Sequence, residues 1–415
     1  MELTRAYKFR VYPDAKRQTE IDERLILAQQ FYNKILEKSI ASYQNGKTKV
    51  SMAQFNRFVR EIIQEDKKYM KLYSQTRCEI EFRLLKAYQN FFRRCDEKKN
   101  GKNVKAGFPR FKSRDRYYSV VYPQDNGSFS ISKNRLRVSR IGTMRIEQHK
   151  EIEGKIKTMT IKKEAGNYYA IFTAIKKMEI SKIEDTDPVG IDMGLHSFIA
   201  ASDGTKIEKP KFVKKSKKHI AKWQRITARR KKGSKRRERA KLKLQKKWEH
   251  TTNQSNDFAH KLSDELINSG HTSFAVEKLN IQNMAKNHNL AQSIYNASWN
   301  RFINMLSYKA ESAGMKVIKV DPKNTTQECS NCHNIRRGEE RLTMNDRIYN
   351  CNVCGLTIDR DINASINILH RATTLGQRGS HAQGDMTSAI QQESKSRIDE
   401  LRTDKTHPLR DAVVV

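Results

Sequence analysis

Four cysteines late in the chain stand as two pairs, Cys329-Ser-Asn-Cys332 and Cys351-Asn-Val-Cys354, with 18 residues between the pairs. Two intervening residues suit a knuckle that turns two sulfurs toward one point. Two such knuckles make the tetrahedral thiolate set of a structural zinc ion. Four thiolates close the coordination shell, so Zn2+ here is expected to be structural, with His333 a bystander rather than a fifth ligand. Paired disulfides are the alternative. The first dozen residues carry three basic residues and no apolar signal core, so export and oxidation are not expected. Cys78 and Cys95 lie in one stretch of helical apolar spacing, about 25 Å apart along a helix. They are too far apart to pair, and both are expected as buried core thiols.

Three carboxylates stand at places where a sheet could gather them. Asp192 lies in Val189-Gly-Ile-Asp-Met-Gly194, a strand pattern with Val189, Ile191 and Met193 on one face. Asp192 shares the other face with two glycines, which would leave room for an ion and a phosphate. Glu277 ends the apolar run Phe274-Ala-Val276, where an acid could also simply mark the strand's exit to water. The third candidate comes from Asp359-Arg-Asp361-Ile-Asn-Ala-Ser365, ahead of a helix whose expected buried stripe is Ile362, Ile366 and Leu369. One of the two aspartates is expected to cap that helix and the other to ligate metal. Oxygen donors of this kind suit Mg2+, and two such ions about 4 Å apart would serve phosphodiester hydrolysis.

The elements that must position these groups can be read from periodicity. Leu3 to Pro13 alternates as a strand. Ile21, Leu25, Ala28, Tyr32 and Ile35 then recur at helical spacing, and helices are expected to fill roughly 14–100 up to a Lys/Gly/Asn-rich break at 98–105. From Tyr117 to Ile180, short β-branched and aromatic runs alternate with turns at Asp125-Asn-Gly127, Lys133-Asn134, Glu153-Gly154 and Ala165-Gly-Asn167. They predict a small barrel or sandwich that the first strand could complete. An acidic linker, Glu184 to Pro188, closes this half. The second half alternates strands (189–194, 197–201, 272–276, 315–320) with a helical pair joined at Gly233-Ser234 and a helix over 299–313, a mixed α/β sheet domain. Beyond about Ala372 sustained periodicity ends, and a disordered tail is expected.

Lys and Arg total 82 against 46 Asp and Glu, a net charge of +36. Lys206 to Lys247 alone holds 21 basic and 2 acidic residues, a net +19. A solvated helix face has no need of one sign, so this pair of helices is expected to meet a phosphate backbone, with Lys231, Lys232, Lys235, Arg236 and Arg237 as candidate contacts. No apolar run is long enough to span a membrane, and a cytoplasmic location, on or near the nucleoid, is expected.

The segments Val189–Gly194, Phe274-Ala-Val-Glu277-Lys-Leu-Asn280, Asp321-Pro-Lys-Asn-Thr-Thr-Gln-Glu-Cys329, Cys351-Asn-Val-Cys354-Gly and Asp359–Ser365, in this order, resemble the TnpB (OrfB) family of transposon-encoded proteins. That family is related to the compact type V CRISPR effectors. The opening Ala6-Tyr-Lys-Phe-Arg-Val-Tyr-Pro13, the segment Gly107–Ser113 and the Lys-Lys-Gly-Ser-Lys-Arg-Arg core of the basic arm extend the likeness over nearly the whole chain. The helix from Gln75 to Phe92 resembles the part that reads a short motif beside the target, although Gln75-Thr-Arg-Cys-Glu79 departs from the family's glutamine-rich start.

The resemblance implies a multidomain α/β protein. A RuvC-type, RNase H-like nuclease domain (186–327 and 355–371) would be interrupted by a zinc ribbon (328–354). A β-barrel wedge (1–13 and 104–185), a helical recognition lobe (14–103) and the tail (372–415) would complete it. Asp192, Glu277 and Asp361 would be the magnesium ligands and catalytic residues. The implied activity is RNA-guided cleavage of double-stranded DNA, with a guide RNA made from the transposon end and one protein chain per guide. A guide-directed DNA-binding regulator without cutting, and a transposase acting directly on transposon ends, are the alternatives.

Overall fold

The computed structural model describes residues 2–46, 51–123, 127–179, 181, 183–284, 286–287, 291, 298–343 and 345–378. The expected turn residues Asp125 and Asn126, and the part of the expected tail from 379 to 415, lie outside them. The chain forms two compact units, 1–178 and 179–415.

In the first unit, strand β1 (Glu2–Tyr12) buries Leu3, Tyr7, Phe9 and Val11 and turns the residues between them outward. This follows from the two-residue period of a strand. Helices α1 (Ala15–Gly46), α2 (Met52–Glu65) and α3 (Ser74–Lys99) follow. The remaining strands are β2 (Ser119–Tyr122), β3 (Phe129–Ser132), β4 (Arg135–Val138), β5 (Gly142–Glu147), β6 (Lys155–Glu164) and β7 (Asn167–Lys177). They join β1 in an antiparallel sheet of order β2-β6-β7-β1-β5-β4-β3, so the first strand takes the centre. The expected barrel is present as a sheet with two edges: no ladder joins β2 to β3 among the described residues. One apolar core unites the sheet's inner face (Phe9, Phe172, Ile146, Met159) with the helices (Phe31, Ile35, Phe55, Leu84).

Helix α3 holds both Cys78 and Cys95 as free thiols. The expectation that both are buried is wrong. The buried stripe of α3 runs through Thr76, Ile80, Leu84 and Tyr88, and Cys78 falls off it onto the exposed side. The same stripe buries Glu81, whose Oε2 has no hydrogen-bond partner. Burial pushes this carboxyl up to about 7, against the pull of Arg77.

In the second unit, β8 (Pro188–Asp192), β9 (Ser197–Ala201), β10 (Lys206–Glu208), β11 (Ser273–Glu277) and β12 (Lys316–Val320) form a sheet of order β10-β9-β8-β11-β12. Strands β8, β11 and β12 run parallel and β9 and β10 antiparallel, as a mixed sheet requires. Helices α4 (Phe212–Arg229) and α5 (Lys235–Ile267) form the basic pair. A single turn, α6 (Ile281–Met284), precedes α7 (Trp299–Ser312). Val189, Ile191, Phe274 and Val276 on one sheet face pack with Ala259 and Leu262 of α5 and with Trp299, Phe302 and Leu306 of α7. On the other face Ala275 and Val320 meet Ile368 and Ala372 of α8 (Arg360–Arg378). Helix α8 thus continues past residue 372, where the disordered tail was expected to begin. The acidic linker is tied in as well: Ser273 Oγ donates to Asp185 at 2.6 Å and Thr272 N to the Asp187 carbonyl at 2.9 Å.

Gly190 corrects an expectation. The space beside it is filled by α8. A Cβ on Gly190 would stand 2.1 Å from the Ser365 carbonyl oxygen and 2.9 Å from Leu369 Cβ and N. The stripe of α8 differs too. Ile362, Ile366 and Leu369 are only partly buried, and the covered face carries Ala364, Ile368 and Ala372 with Asn363, Ser365 and Asn367. Small residues let helix and strand backbones approach closely, which large apolar ones would prevent.

Two outcomes follow. Gly190→Ala forces α8 away from β8 and should lower unfolding free energy on the order of 1–3 kcal/mol in denaturant melts; an unshifted midpoint would show that the contact is slack. For Glu81, a carboxyl whose folded pKa lies above its unfolded value, stability is full below about pH 4.5 and is lost as pH rises toward 7. Glu81→Gln should therefore stabilise the protein at pH 8 on the order of 1–3 kcal/mol and have no effect near pH 4.5. A gain equal at both pH values would exclude ionisation as its source.

Candidate metal centre and carboxylate site

The two cysteine pairs build matching knuckles. In the first, His333 N donates to the Cys329 carbonyl at 3.0 Å, and Cys329 N to the Asn334 carbonyl at 2.9 Å. In the second, Gly355 N donates to the Cys351 carbonyl at 3.0 Å, and Cys351 N to the Leu356 carbonyl at 2.8 Å. His333 and Gly355 hold the same place, and both have positive φ, 58° and 75°. The role of His333 is therefore backbone geometry. Its ring faces Glu328 (3.2 Å from Nδ1) and His370 rather than the sulfurs.

The four sulfurs lie within 4.8 Å of one another, with Cys329 to Cys354 at 3.7 Å and Cys332 to Cys351 at 3.5 Å. Four ligands about 2.3 Å from a central ion in a tetrahedron stand about 3.8 Å apart, so the set is of the right size for one metal ion. Backbone N–H groups point at the sulfurs: those of Cys332 and Asn331 at Cys329, and those of Cys354 and Val353 at Cys351. They favour the thiolate form that a metal requires. Buried Tyr349, on strand β13 (Ile348–Asn350), packs with Cys329 and Cys351 and donates to the Gln327 carbonyl at 3.2 Å. Strand β13 pairs with β14 (Thr357–Asp359), which leads straight into α8.

The carboxylates follow from the register of the parallel strands. Ile191 pairs with Val276, so Asp192 and Glu277 come one residue later, side by side at the C-terminal ends of β8 and β11. Neighbouring strands lie about 4.8 Å apart. Both acids alternate away from the α5–α7 core and onto the face that α8 covers. In open α/β sheets this crevice, at the carboxyl ends of parallel strands, is where ligands sit. Asp361 in the first turn of α8 completes the group. The three are 8%, 7% and 7% exposed, in chain order. Burial, and after it the charges of Glu277 and Asp361, push the Asp192 carboxyl well above the usual carboxylate range. The Arg360 guanidinium and the Met193 N–H pull it down. Burial also raises Glu277, against a hydrogen bond from Thr325 and the charge of Arg371.

The Asp-Arg-Asp segment divides its duties. Asp359 Oδ1 accepts from Asp361 N at 2.9 Å and Ile362 N at 3.2 Å, while Lys206 Nζ stands 2.5 Å from Oδ2. Asp359 is the cap. Although burial opposes it, Lys206 and the Ile362 N–H hold this carboxyl below its usual range. Asp361 lies close enough to Asp192 for its charge to raise that carboxyl, with Arg360 Nη2 2.9 Å from its Oδ1.

Thr325 and Asn363 lie in segments that carry the family resemblance, but nothing in their residue types marked them as supports. Thr325 is 2% exposed and donates to Glu277 Oε1 at 2.5 Å. Asn367 Nδ2 donates to the carbonyls of Thr325 (3.0 Å) and Glu328 (2.7 Å). Asn363 donates to the Glu328 carbonyl at 2.7 Å and accepts from Ser330 N at 2.9 Å. The one available hint was two asparagines four apart, flanking the small apolar residues of a helix.

On the basic pair, Lys231, Lys232, Lys235 and Arg236 are exposed. Among the described residues none of the four has an acidic partner within 4.0 Å. Arg237 is half-buried and its Nη1 donates to the Arg230 carbonyl at 2.8 Å. It braces the turn, where Ser234 caps α5 by accepting from Arg237 N at 3.2 Å. No helix among the described residues is long and apolar enough to cross a membrane.

Three family models match. The OrfB_IS605 model, described as "Probable transposase", covers residues 174–288 with Asp192, the basic pair and Glu277. A "Cas12f1-like, TNB domain" model covers 299–368 with the cysteines and Asp361. A "Helix-turn-helix domain" model of OrfB_IS605 proteins covers 1–48, where this chain has a strand and one long helix. A Streptomyces pristinaespiralis protein named "Putative RNA-guided DNA endonuclease" is 27% identical over 377 residues, 89% of each chain. An Escherichia coli (strain K12) protein of the same designation, InsQ, is 27% identical over 69% of this chain and 71% of its own length. The CRISPR-associated endodeoxyribonuclease Cas12f1 of Sulfoacidibacillus thermotolerans is 48% identical over 61 residues, 15% of this chain and 14% of its own. A solved Cas12f1–sgRNA–target DNA complex shares the fold over 88% of this chain and 98% of that one, at a TM-score of 0.55 and 14% identity. These models and relatives lie on the segments that carry the cysteines and the carboxylates, and over most of its length the chain is similar to proteins of the TnpB (OrfB_IS605) family.

Proposed function

We propose that the chain is an RNA-guided DNA endonuclease of a transposon, loading a guide RNA made from the transposon end and cutting double-stranded DNA beside a short adjacent motif. The observation that carries this reading is the meeting of Asp192, Glu277 and Asp361, from two parallel strands and one helix, in a single buried crevice. A buried acid pushed up by burial and by neighbouring acids, as Asp192 is, is a common mark of a functional site. The names of relatives matching nearly the full chain support the same activity.

In this reading residues 186–327 and 355–371, with α8 running on to Arg378, form a RuvC-type nuclease domain, and 328–354 a zinc ribbon inserted into it. Residues 1–13 and 104–185 serve as a wedge and 14–103 as a recognition lobe. The donor set fits magnesium, since three carboxylates supply hard oxygen ligands and no sulfur or imidazole intrudes among them. Two Mg2+ ions bound there would supply an activated water and offset the charge gathering on the leaving 3′-oxygen. The chain's own part is geometric. Asp192 and Glu277 are fixed by strand register, Asp361 by the capped start of α8, and Glu277 by the Thr325 hydroxyl. The thiolates of Cys329, Cys332, Cys351 and Cys354 hold a structural Zn2+ that folds the segment joining β12 to α8. Lys231, Lys232, Lys235 and Arg236 contact phosphates of the guide or target, one chain serving each guide RNA.

Protein co-expressed with its flanking transposon-end DNA should carry a defined RNA and cut matching plasmids only with magnesium. Asp192→Ala should abolish cutting, with affinity for guide and target within about 3-fold of the parent; cleavage at the parental rate would remove Asp192 from the site. Cys329→Ser should take bound zinc well below about one ion per chain by mass spectrometry of the metal, and unchanged zinc content would refute the four-thiolate site.

A further inference from the structure

We propose that Thr325 is a positioning residue that sets Glu277 relative to Asp361, with Asn367 as the strut between the two acids. The inference rests on reading the three carboxylates as a divalent-cation site, and it concerns how two ligands from separate elements are brought to one ion.

Glu277 ends β11 and Asp361 opens α8, and the two elements are joined by sheet packing that fixes them only through apolar contacts. Apolar contacts tolerate sliding, whereas a metal site needs its oxygens placed within about 0.5 Å. The directional link is a run of buried hydrogen bonds. Asn367 projects from α8 six residues after Asp361 and grips the Thr325 carbonyl at 3.0 Å. The Thr325 hydroxyl in turn donates to Glu277 Oε1. Every group in this run is shielded from water: Thr325 is 2% and Asn367 1% exposed. The second bond of Asn367, to the Glu328 carbonyl, fixes the residue just before Cys329, and Asn363 grips the same carbonyl. The strut therefore has an anchor in the first knuckle, and it can push as well as pull.

The hydroxyl also selects which Glu277 oxygen is available. With Oε1 accepting from Thr325, Oε2 is the oxygen that Thr325 does not engage, the arrangement of an outer partner orienting a metal-ligating carboxylate. Loss of such a partner typically costs 10–100-fold in metal affinity.

The test is a Mn2+ titration of zinc-loaded full-length protein, following the free-ion signal by electron paramagnetic resonance. The proteins are the parent, Asp192→Ala, Thr325→Val and Thr325→Ser, each with its zinc content measured. Val has the shape of Thr without the hydroxyl, and Ser restores the hydroxyl. The expected result is tight Mn2+ binding lost in Asp192→Ala and weakened 10–100-fold in Thr325→Val. Thr325→Ser should bind within about 3-fold of the parent, and all four proteins should keep their zinc. Thr325→Val binding Mn2+ like the parent, while Asp192→Ala does not, would overturn the role of Thr325 and leave the metal-site reading intact. Thr325→Val losing zinc together with Mn2+ would overturn it too, since the hydroxyl would then be holding the cysteine module. Parent and Asp192→Ala binding alike would remove the metal-site reading itself, and this inference with it.

Discussion

Three carboxylates buried in one crevice repel one another, and much of the second unit can be understood as the means of keeping them there. Two carboxylates about 5 Å apart cost about 3 kcal/mol at an effective dielectric of 20, and desolvation adds to that cost. The raised pKa of Asp192 is the direct expression of this strain. The compensation is local. Arg360 lies against Asp361, and Thr325 satisfies one oxygen of Glu277. None of these neutralises the cluster fully. A divalent cation, whose hard-oxygen preference three carboxylates meet, would.

Such a crevice forms only if α8 lies close against β8. Here the demand of chemistry becomes a demand of packing. Gly190 brings the strand backbone to the helix backbone, and Ala364 and Ala372 keep the helix side thin. The space saved is occupied by buried amide groups, Asn363 and Asn367, which need carbonyl partners. They find them in the segment leading to Cys329. The cysteine module and the acid crevice are therefore neighbours through one set of hydrogen bonds, and the interruption of the sheet domain by the cysteines has a structural meaning. The module terminates the segment that α8 grips.

Much of this was legible in the amino-acid sequence, for reasons that differ by residue. The cysteine spacing was readable because coordination geometry permits few arrangements. The strand ends at Asp192 and Glu277 were readable because apolar alternation stops there. The division of labour between Asp359 and Asp361 was posed by the sequence but resolved only by the fold, since either could cap. Other readings went astray where one pattern admits two environments. A glycine beside an acid can make room for a ligand or for a helix, and Gly190 does the second. Isoleucines at helical spacing suggested the buried side of α8, yet its fully covered positions include Ala364, Ala372, Asn363 and Asn367, of which the asparagines look like surface residues when read alone. Cys78 was assigned to the core by residue type, whereas at 100° per residue it falls off the stripe. Thr325 sits in a segment that carries the resemblance, yet its role stayed unread, because a single hydroxyl becomes informative only when its carboxylate partner, 48 positions away, is beside it.

The distribution of charge separates the two halves of the proposed activity. In the first unit many basic residues are matched: Lys163 with Asp22, Lys38 with Glu61 and Glu65, and Arg24 with Glu20 and Glu23. Such pairs serve stability modestly and leave less field for a partner. Over residues 206–247 the acids are nearly missing, 2 against 21 basic residues, and the turn between the helices presents Lys231, Lys232, Lys235 and Arg236 to solvent with no acid in reach among the described residues. Like charges held this close destabilise the free protein, and a polyanion removes that cost on binding. The acid crevice and the basic turn are thus complementary in charge, and the proposed activity, a nucleic acid cut with divalent metal, uses both.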